Sequence, residues 1–153
     1  MRTPLALILA LALLAACSPE RSPSTLPTTR VVIDTQRGPV AFTAEVASDQ
    51  VSQEKGLMYR TELAPDAGML FDFHKPLMLT FWMKNTKLPL DIIFISADGT
   101  ISTIAANAVP YSEAIIPSNG PARAVLEING GRAAALGIAP GDRVRTAIFG
   151  NAP

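Results

Sequence analysis

The sequence predicts a mainly β fold, a compact antiparallel sandwich or distorted barrel with one or two short helices. Short apolar runs rich in β-branched and aromatic residues recur along the chain, each bounded by turn residues, which is the pattern of many short strands. Between them no segment is long enough to supply the crossover helices that a parallel α/β sheet requires.

In order, Val31 to Asp34 and Pro39 to Val46 read as strands joined across Gln36-Arg37-Gly38. Ser48 to Lys55 changes to helical spacing, with Ser48 or Asp49 as the cap and Gly56 as the stop. Gly68 to Phe73, Leu77 to Met83 and Leu90 to Ser96 are three further strands. Ala97-Asp98-Gly99-Thr100 is a hairpin turn leading into a strand over Thr100 to Ala105, and Val109 to Asn119 is an irregular loop containing Tyr111. Ala122 to Ile128 alternates, so Ala124, Leu126 and Ile128 share one face of a half-buried strand while Arg123, Val125 and Glu127 share the other. Gly131 to Leu136 makes a helical turn or two ended by Gly137, and a last strand follows the Pro140-Gly141 turn from Asp142 to Phe149.

The first residues follow a different logic. Arg2 precedes an unbroken apolar stretch from Leu5 to Leu14, then Ala15-Ala16-Cys17. A charged start, a short apolar stretch and a small-residue cleavage site describe a secretory signal over residues 1–16, and the apolar stretch from Leu5 to Leu14 falls well below the roughly 20 residues of a membrane-crossing helix. Leu14-Ala15-Ala16-Cys17 resembles the bacterial lipobox, in which the cysteine is lipidated and the chain is cut before it. The alternative is an ordinary secreted protein whose cut happens to precede a cysteine. Cys17 is the one cysteine of the chain, so lipidation accounts for an exported thiol with no disulfide partner. By the same resemblance, Ser18 in place of aspartate implies an outer-membrane anchor facing the periplasm where the cell has such a membrane. Residues 17–29 are rich in Ser, Pro and Thr and form a flexible tether. Residues 30–150 hold one domain with one core.

Lysine and arginine total 13, as do aspartate and glutamate, and neither sign forms a long run. A nucleic-acid partner is therefore not expected. The membrane is a partner through the lipid instead.

Several strings are more distinctive. They are Gly56-Leu57-Met58-Tyr59-Arg60, Gly68-Met69-Leu70-Phe71, Phe81-Trp82-Met83-Lys84-Asn85-Thr86 and Leu88-Pro89-Leu90-Asp91-Ile92. With Val125-Leu126-Glu127-Ile128-Asn129-Gly130-Gly131 and Gly137-Ile138-Ala139-Pro140-Gly141-Asp142 they closely resemble the DUF192 family from Pro39 to Phe149. The resemblance implies a compact, jelly-roll-like β fold. It implies no function and no catalytic residues.

The residues themselves suggest where a ligand would sit. In a strand from Leu77 to Met83, Leu79, Phe81 and Met83 share one face, and Thr80, Trp82 and, by extension, Lys84 share the other. Trp82 then lies beside a cation and the Asn85 amide, a platform for a polar small molecule or glycan, unless the indole is simply core. Arg60 and Tyr111 complete the candidate ligand-binding set, and a partner protein of the envelope is a further expectation for the same face. Met58, Met69, Met78 and Met83 surround His74 in sequence, and thioethers with an imidazole can hold cuprous ion. His74 and Met78 are the candidates for this copper alternative, whereas Met69 and Met83 read as core gap-fillers. No cofactor is expected.

Enzyme parts are scarce. Once Cys17 is lipidated no thiol remains, there is one histidine, and no Gly-x-Ser-x-Gly string occurs, so triad chemistry lacks its components. A carboxylate pair, Asp91 with Glu127, is the catalytic alternative for a hydrolase acting on envelope carbohydrate. Both lie in or beside apolar strands, where a carboxylate needs a partner such as Arg60, Arg123 or Lys84, and a structural ion pair is the ordinary outcome. Asp98 and Asp142 are explained by their turns. The sequence thus favours an envelope binding or accessory module over an enzyme. Cys17→Ser is expected to abolish acyl labelling and leave the precursor uncut, read by metabolic fatty-acid labelling and mobility on a gel; normal maturation of the variant would exclude the anchor.

Overall fold

The computed structural model describes residues 26–152; the leader, Cys17 and most of the tether lie outside the described residues. Strands make up 51% of the structure, so the fold is mainly β. β1 (Thr28–Thr35) and β2 (Gly38–Ala47) form the expected hairpin, with β1 starting ahead of Arg30. Helix α1 (Gln50–Lys55) follows. The Asp49 carboxylate accepts the Ser52 N–H at 3.0 Å, the Ser52 hydroxyl accepts the Asp49 N–H at 3.3 Å, and Gly56 ends the helix, a reciprocal cap that secures a helix too short to persist alone. β3 (Ala67–Phe81), β4 (Leu90–Ile95), β5 (Ile101–Ala108), β6 (Ile116–Asn129), α2 (Arg132–Leu136) and β7 (Arg143–Arg145) complete the order.

The strands form one seven-stranded sheet, β5-β4-β6-β3-β2-β1-β7, curled into a half-barrel. Its outer strands meet at one end, where the Val144 N–H donates to the Gly99 carbonyl at 2.8 Å and the Ile101 N–H donates to the Asp142 carbonyl at 2.9 Å. Those bonds occupy edge groups that an open sheet would leave bare. Pairing is antiparallel except between β2 and β3, which run parallel. This one parallel pair departs from the antiparallel pairing expected from the sequence, because the segment carrying α1, though its helix is short, is long enough to return the chain to the start of a parallel neighbour.

Four segments differ in detail from the sequence reading, three because long-range pairing overrides a local signal and one, the last strand, because a local side chain ends it. The two runs expected as strands at Gly68 to Phe73 and Leu77 to Met83 are one strand, because both pair with β6; the register shifts between Asp72 and Leu77, where His74 takes φ 64°. Ile116 to Asn119 belong to β6 rather than to a loop, with Ile116 opposite Phe81 and Pro117 opposite Thr80. The final strand stops at Arg145, since the Asn151 side chain accepts the Thr146 N–H and donates to the Val144 carbonyl, folding the chain back through a single helical turn at Ala147–Phe149. Finally, the segment from Ala122 to Ile128 is not half-buried. It lies between β3 and β4, and both of its faces are covered.

Two apolar layers result. Val31, Ile33, Leu70, Ile93, Ile101, Leu126 and Val144 belong to the first; because it draws on both outer strands, it fills the inside of the curl. Met69, Phe71, Met83, Ile92, Phe94 and Val125 belong to the second, on the outer face, with Leu57 beyond α1 packed among them. β3 and β6 approach so closely that a Cβ at Gly68 would stand 2.6 Å from the Glu127 carbonyl, which is why glycine occupies that position.

Asp91 holds the inner layer to α2. It is 0% exposed and pairs across the ladder with Ile128. Its carboxyl oxygens accept N–H groups from Asn107 at 2.8 Å, Gly131 at 3.0 Å and Ala133 at 2.8 Å. Backbone amides thus take the place of the cationic side chain expected from the sequence. Asp91→Ala leaves three backbone donors unmatched, that of Ala133 fully buried, and is expected to destabilise the fold by on the order of 3 kcal/mol in urea unfolding; a loss within about 0.5 kcal/mol would show that the clamp carries no weight.

Candidate functional site

The outer layer is incomplete. Between α1, the end of β3 and the segments around Thr86 and Glu113 lies a cavity of about 850 Å³, a volume suited to a small organic ligand. Phe71, Phe73, Phe81 and Trp82 line it together with Thr80 and Glu127. Phe81 organises the wall, meeting Phe71, Phe73 and Phe94 edge to face at 5.2, 6.4 and 5.8 Å between ring centres, the arrangement favoured by ring quadrupoles. On the far side α1 is held by Gln53, whose amide donates to the Asp72 carbonyl at 2.9 Å.

Glu127 sets the chemistry of this cavity. It faces Met69 on β3 and Ile92 on β4 across the two ladders, so it projects to the outer face in the middle of a sheet. It is 5% exposed, and its carboxyl makes no hydrogen bond or ion pair with any described residue. Burial without compensation pushes the carboxyl up to about 8 from its ordinary 4.5. A buried polar group left unmatched is uncommon enough to need an explanation.

Asp91 and Glu127, the carboxylate pair considered from sequence, do not converge. Residues directly opposed in a ladder share a face. Asp91 opposes Ile128 of the inner layer, while Glu127 opposes Ile92 of the outer layer. The sheet itself separates the two carboxyls. The cations expected beside them are engaged elsewhere: Arg60 forks onto Glu45 with two bonds of 2.6 Å, Arg123 approaches Asp72 at 3.7 Å, and the Lys84 ammonium sits 5.0 Å from the centre of the Trp82 ring.

The other sequence candidates divide between two neighbouring places. Trp82 lies on the rim of the large cavity, 45% exposed rather than core, with Lys84 against it as expected. Arg60, Asn85 and Tyr111 line a smaller hollow of about 260 Å³ with Tyr59 and Lys87. There the Asn85 amide donates to the Tyr59 hydroxyl at 2.8 Å and the Tyr59 N–H donates to the Asn85 carbonyl at 2.9 Å. Tyr59, Asn85 and Tyr111 all have left-handed backbone, at φ 64°, 53° and 61°, a conformation that costs energy in non-glycine residues. Met58 joins the two places, lining the large cavity and receiving the Asn85 amide on its sulfur at 3.9 Å.

His74 and Met78 are not drawn together with the remaining methionines. The His74 ring lies against the Ser48 carbonyl and Asp72, at 3.1 and 3.4 Å. Met78 is 69% exposed, whereas Met69 and Met83 are buried in the outer layer. No group of three or more His, Cys, Asp and Glu side chains able to hold a metal occurs among the described residues.

Sequence reasoning did not single out Phe71, Phe73, Phe81 or Glu113 as site residues. Alternation offered a partial signal, since Met69, Phe71 and Phe73 fall on one face of a strand. Which of those rings would be covered depended on α1, and no local pattern reports that.

Fold and site together define a class: a curled β domain with a ligand-sized aromatic cavity on the outer face of its sheet and one buried carboxyl at its floor. The chain belongs to the DUF192 family, described as uncharacterized ACR, whose model matches residues 31–146. Two crystal structures are similar to it, each with 50% identity, a TM-score of 0.79 and 82% of this chain covered. One is a protein of Sinorhizobium meliloti 1021 described as a candidate transcription regulator, 98% of which is covered. The other is a protein of unknown function from Novosphingobium aromaticivorans DSM 12444, 89% of which is covered. No curated protein matches.

The raised Glu127 carboxyl has a measurable consequence. The folded chain keeps a proton that the unfolded chain releases between its ordinary 4.5 and about 8, so stability falls as pH rises through that window and levels off above it. The slope is expected to reach about 1.4 kcal/mol per pH unit. Asp34, Asp49 and Asp98 are lowered by hydrogen bonds from Arg145, Ser52 and Thr100; their contribution is present above 3.8 and is lost only at more acid pH. Glu127→Gln is expected to flatten the slope in urea unfolding between about pH 5 and about pH 8, and an unchanged slope would show that Glu127 is not its source.

Proposed function

We propose that this protein is a binding module of the bacterial cell envelope, anchored by lipid on Cys17, that captures a small molecule in the cavity above Glu127. One observation carries the binding reading: a buried carboxyl with no partner faces a cavity walled by aromatic rings. Such a group costs stability in the empty protein, and a ligand that hydrogen-bonds to it offsets that cost. Trp82 stands at the rim and supplies an aromatic contact of the kind that recognition of a polar ligand or glycan uses, while Tyr59, Asn85 and Tyr111 belong to the neighbouring hollow. Tyr59, Val109, Tyr111 and Ile115 are exposed as well, Ile115 on the cavity lining and the two tyrosines on the smaller hollow, apolar surface that suits an envelope protein as the source or recipient of the ligand.

The anchor rests on the leader of residues 1–16 and the Leu14-Ala15-Ala16-Cys17 string. Among the described residues no helix is long and apolar enough to cross a membrane. The placement that follows is export, with the domain held at the outer membrane and facing the periplasm where the cell has one. Transcription regulation, the description given to the Sinorhizobium meliloti relative, draws no support from a chain whose 13 basic and 13 acidic residues balance. Hydrolysis through Asp91 and Glu127 draws none from carboxyls on opposite faces.

Trp82 is the one tryptophan of the chain, so its emission reports directly on the cavity. A screen of glycan fragments, small amines and metal ions is expected to yield a compound that shifts this emission and raises Tm, by about 2.7 kcal/mol of stability at about a hundred times its Kd. Trp82→Ala is expected to keep the fold by circular dichroism and weaken binding. Unfolding of that variant would instead assign the indole a packing role, and stabilisation by a compound that leaves Trp82 emission unmoved would place the site elsewhere.

A further inference from the structure

The cavity is lopsided in charge. Its lining contains three carboxyls, Glu54, Glu113 and Glu127, against one cation, Lys55. Glu54 and Lys55 on α1 and Glu113 on the loop before β6 are exposed at the mouth, while Glu127 lies at the floor. Across the ladders Glu127 faces only Met69 and Ile92, and Arg123, the other charged residue of β6 nearby, is turned to Asp72. An anionic ligand would therefore meet no buried cation there. The walls are aromatic rings, whose faces attract positive charge, and the Trp82 ring already holds the Lys84 ammonium 5.0 Å from its centre.

We propose that the cavity takes a small organic cation, an alkylated or quaternary ammonium, with its charge against the Glu127 carboxylate and its carbon substituents against Phe71, Phe81 and Trp82. This rests on the reading of the cavity as a binding site and names the ligand class. The exchange is balanced. The empty protein holds a proton on Glu127 below about pH 8, the cation enters, and that proton leaves to solvent, so no charge is buried without its partner. Ligand uptake is thereby coupled to pH, tighter on the alkaline side and weaker in acid.

The test uses the full chain in a non-ionic polyoxyethylene detergent, with choline as the probe and 3,3-dimethylbutan-1-ol as its uncharged isostere. Binding is read by Trp82 emission and by calorimetry in two buffers of different ionisation enthalpy. Choline is expected to bind at least about tenfold more tightly than the isostere, to gain about tenfold in affinity per pH unit up to about pH 8, and to release about one proton per molecule bound below that pH. Glu127→Gln is expected to keep the folded emission while losing both the preference for choline and the proton release. Equal binding of the two probes without proton release would overturn the cation and leave the cavity a binding site. If neither probe binds while a glycan fragment or other neutral compound moves Trp82 emission, the cation again falls and the binding reading stands. If no compound moves it, both fall.

Discussion

Strand β6 is buried on both faces from Ala122 to Ile128, and the rest of the structure depends on that constraint. It runs between β3 and β4, so successive residues must satisfy two different interiors at once: Leu126 and Ile128 the inside of the curl, Val125 and Glu127 the outer layer. Strands covered on both sides are ordinarily apolar throughout. A carboxyl in this one is a departure from the packing rule, and such departures in native folds concentrate at functional positions.

The two buried acids show how differently the same chemistry can be handled. Asp91 meets three backbone amides from β5 and the start of α2, so its burial is compensated and its role is architectural. Glu127, on the next strand and the opposite face, meets aromatic carbon and open space. The first contributes to holding the fold closed. The second leaves the fold with a buried carboxyl that has no partner among the described residues.

The surroundings of the cavity are held by a few local bonds. α1 is short and depends on its Asp49 and Ser52 cap and on Gln53 to stay against β3. The segment from Trp82 to Pro89 is stitched to its neighbours by Tyr59 and Tyr111, each donating an N–H to it, at 2.9 Å to Asn85 and 3.0 Å to Thr86. Tyr59, Asn85 and Tyr111 take left-handed backbone where they line the smaller hollow, a conformation that costs energy in non-glycine residues. The cavity is therefore carried on the sheet and trimmed by α1 and by loops.

The amino-acid sequence by itself determined the mainly β class, the hairpin of β1 and β2, the cap and stop of α1, the Gly137 stop of α2, and the turn at Asp98 and Gly99, because each rests on side-chain alternation or on residues whose backbone preferences are local. It also marked Trp82, Lys84, Asn85, Arg60 and Glu127 as chemically distinctive. Only the tertiary structure decided that Gly68 to Phe81 is one strand, that Ile116 to Asn119 extends β6, and that Asp91 and Glu127 face opposite ways. It alone separated Trp82 from Arg60, Asn85 and Tyr111 and set Phe71, Phe73 and Phe81 around one carboxyl. The reason is physical: alternation assigns residues to the two sides of a strand, but which side becomes the inside of the curl, and what covers the other, is settled by pairings between residues far apart in the chain.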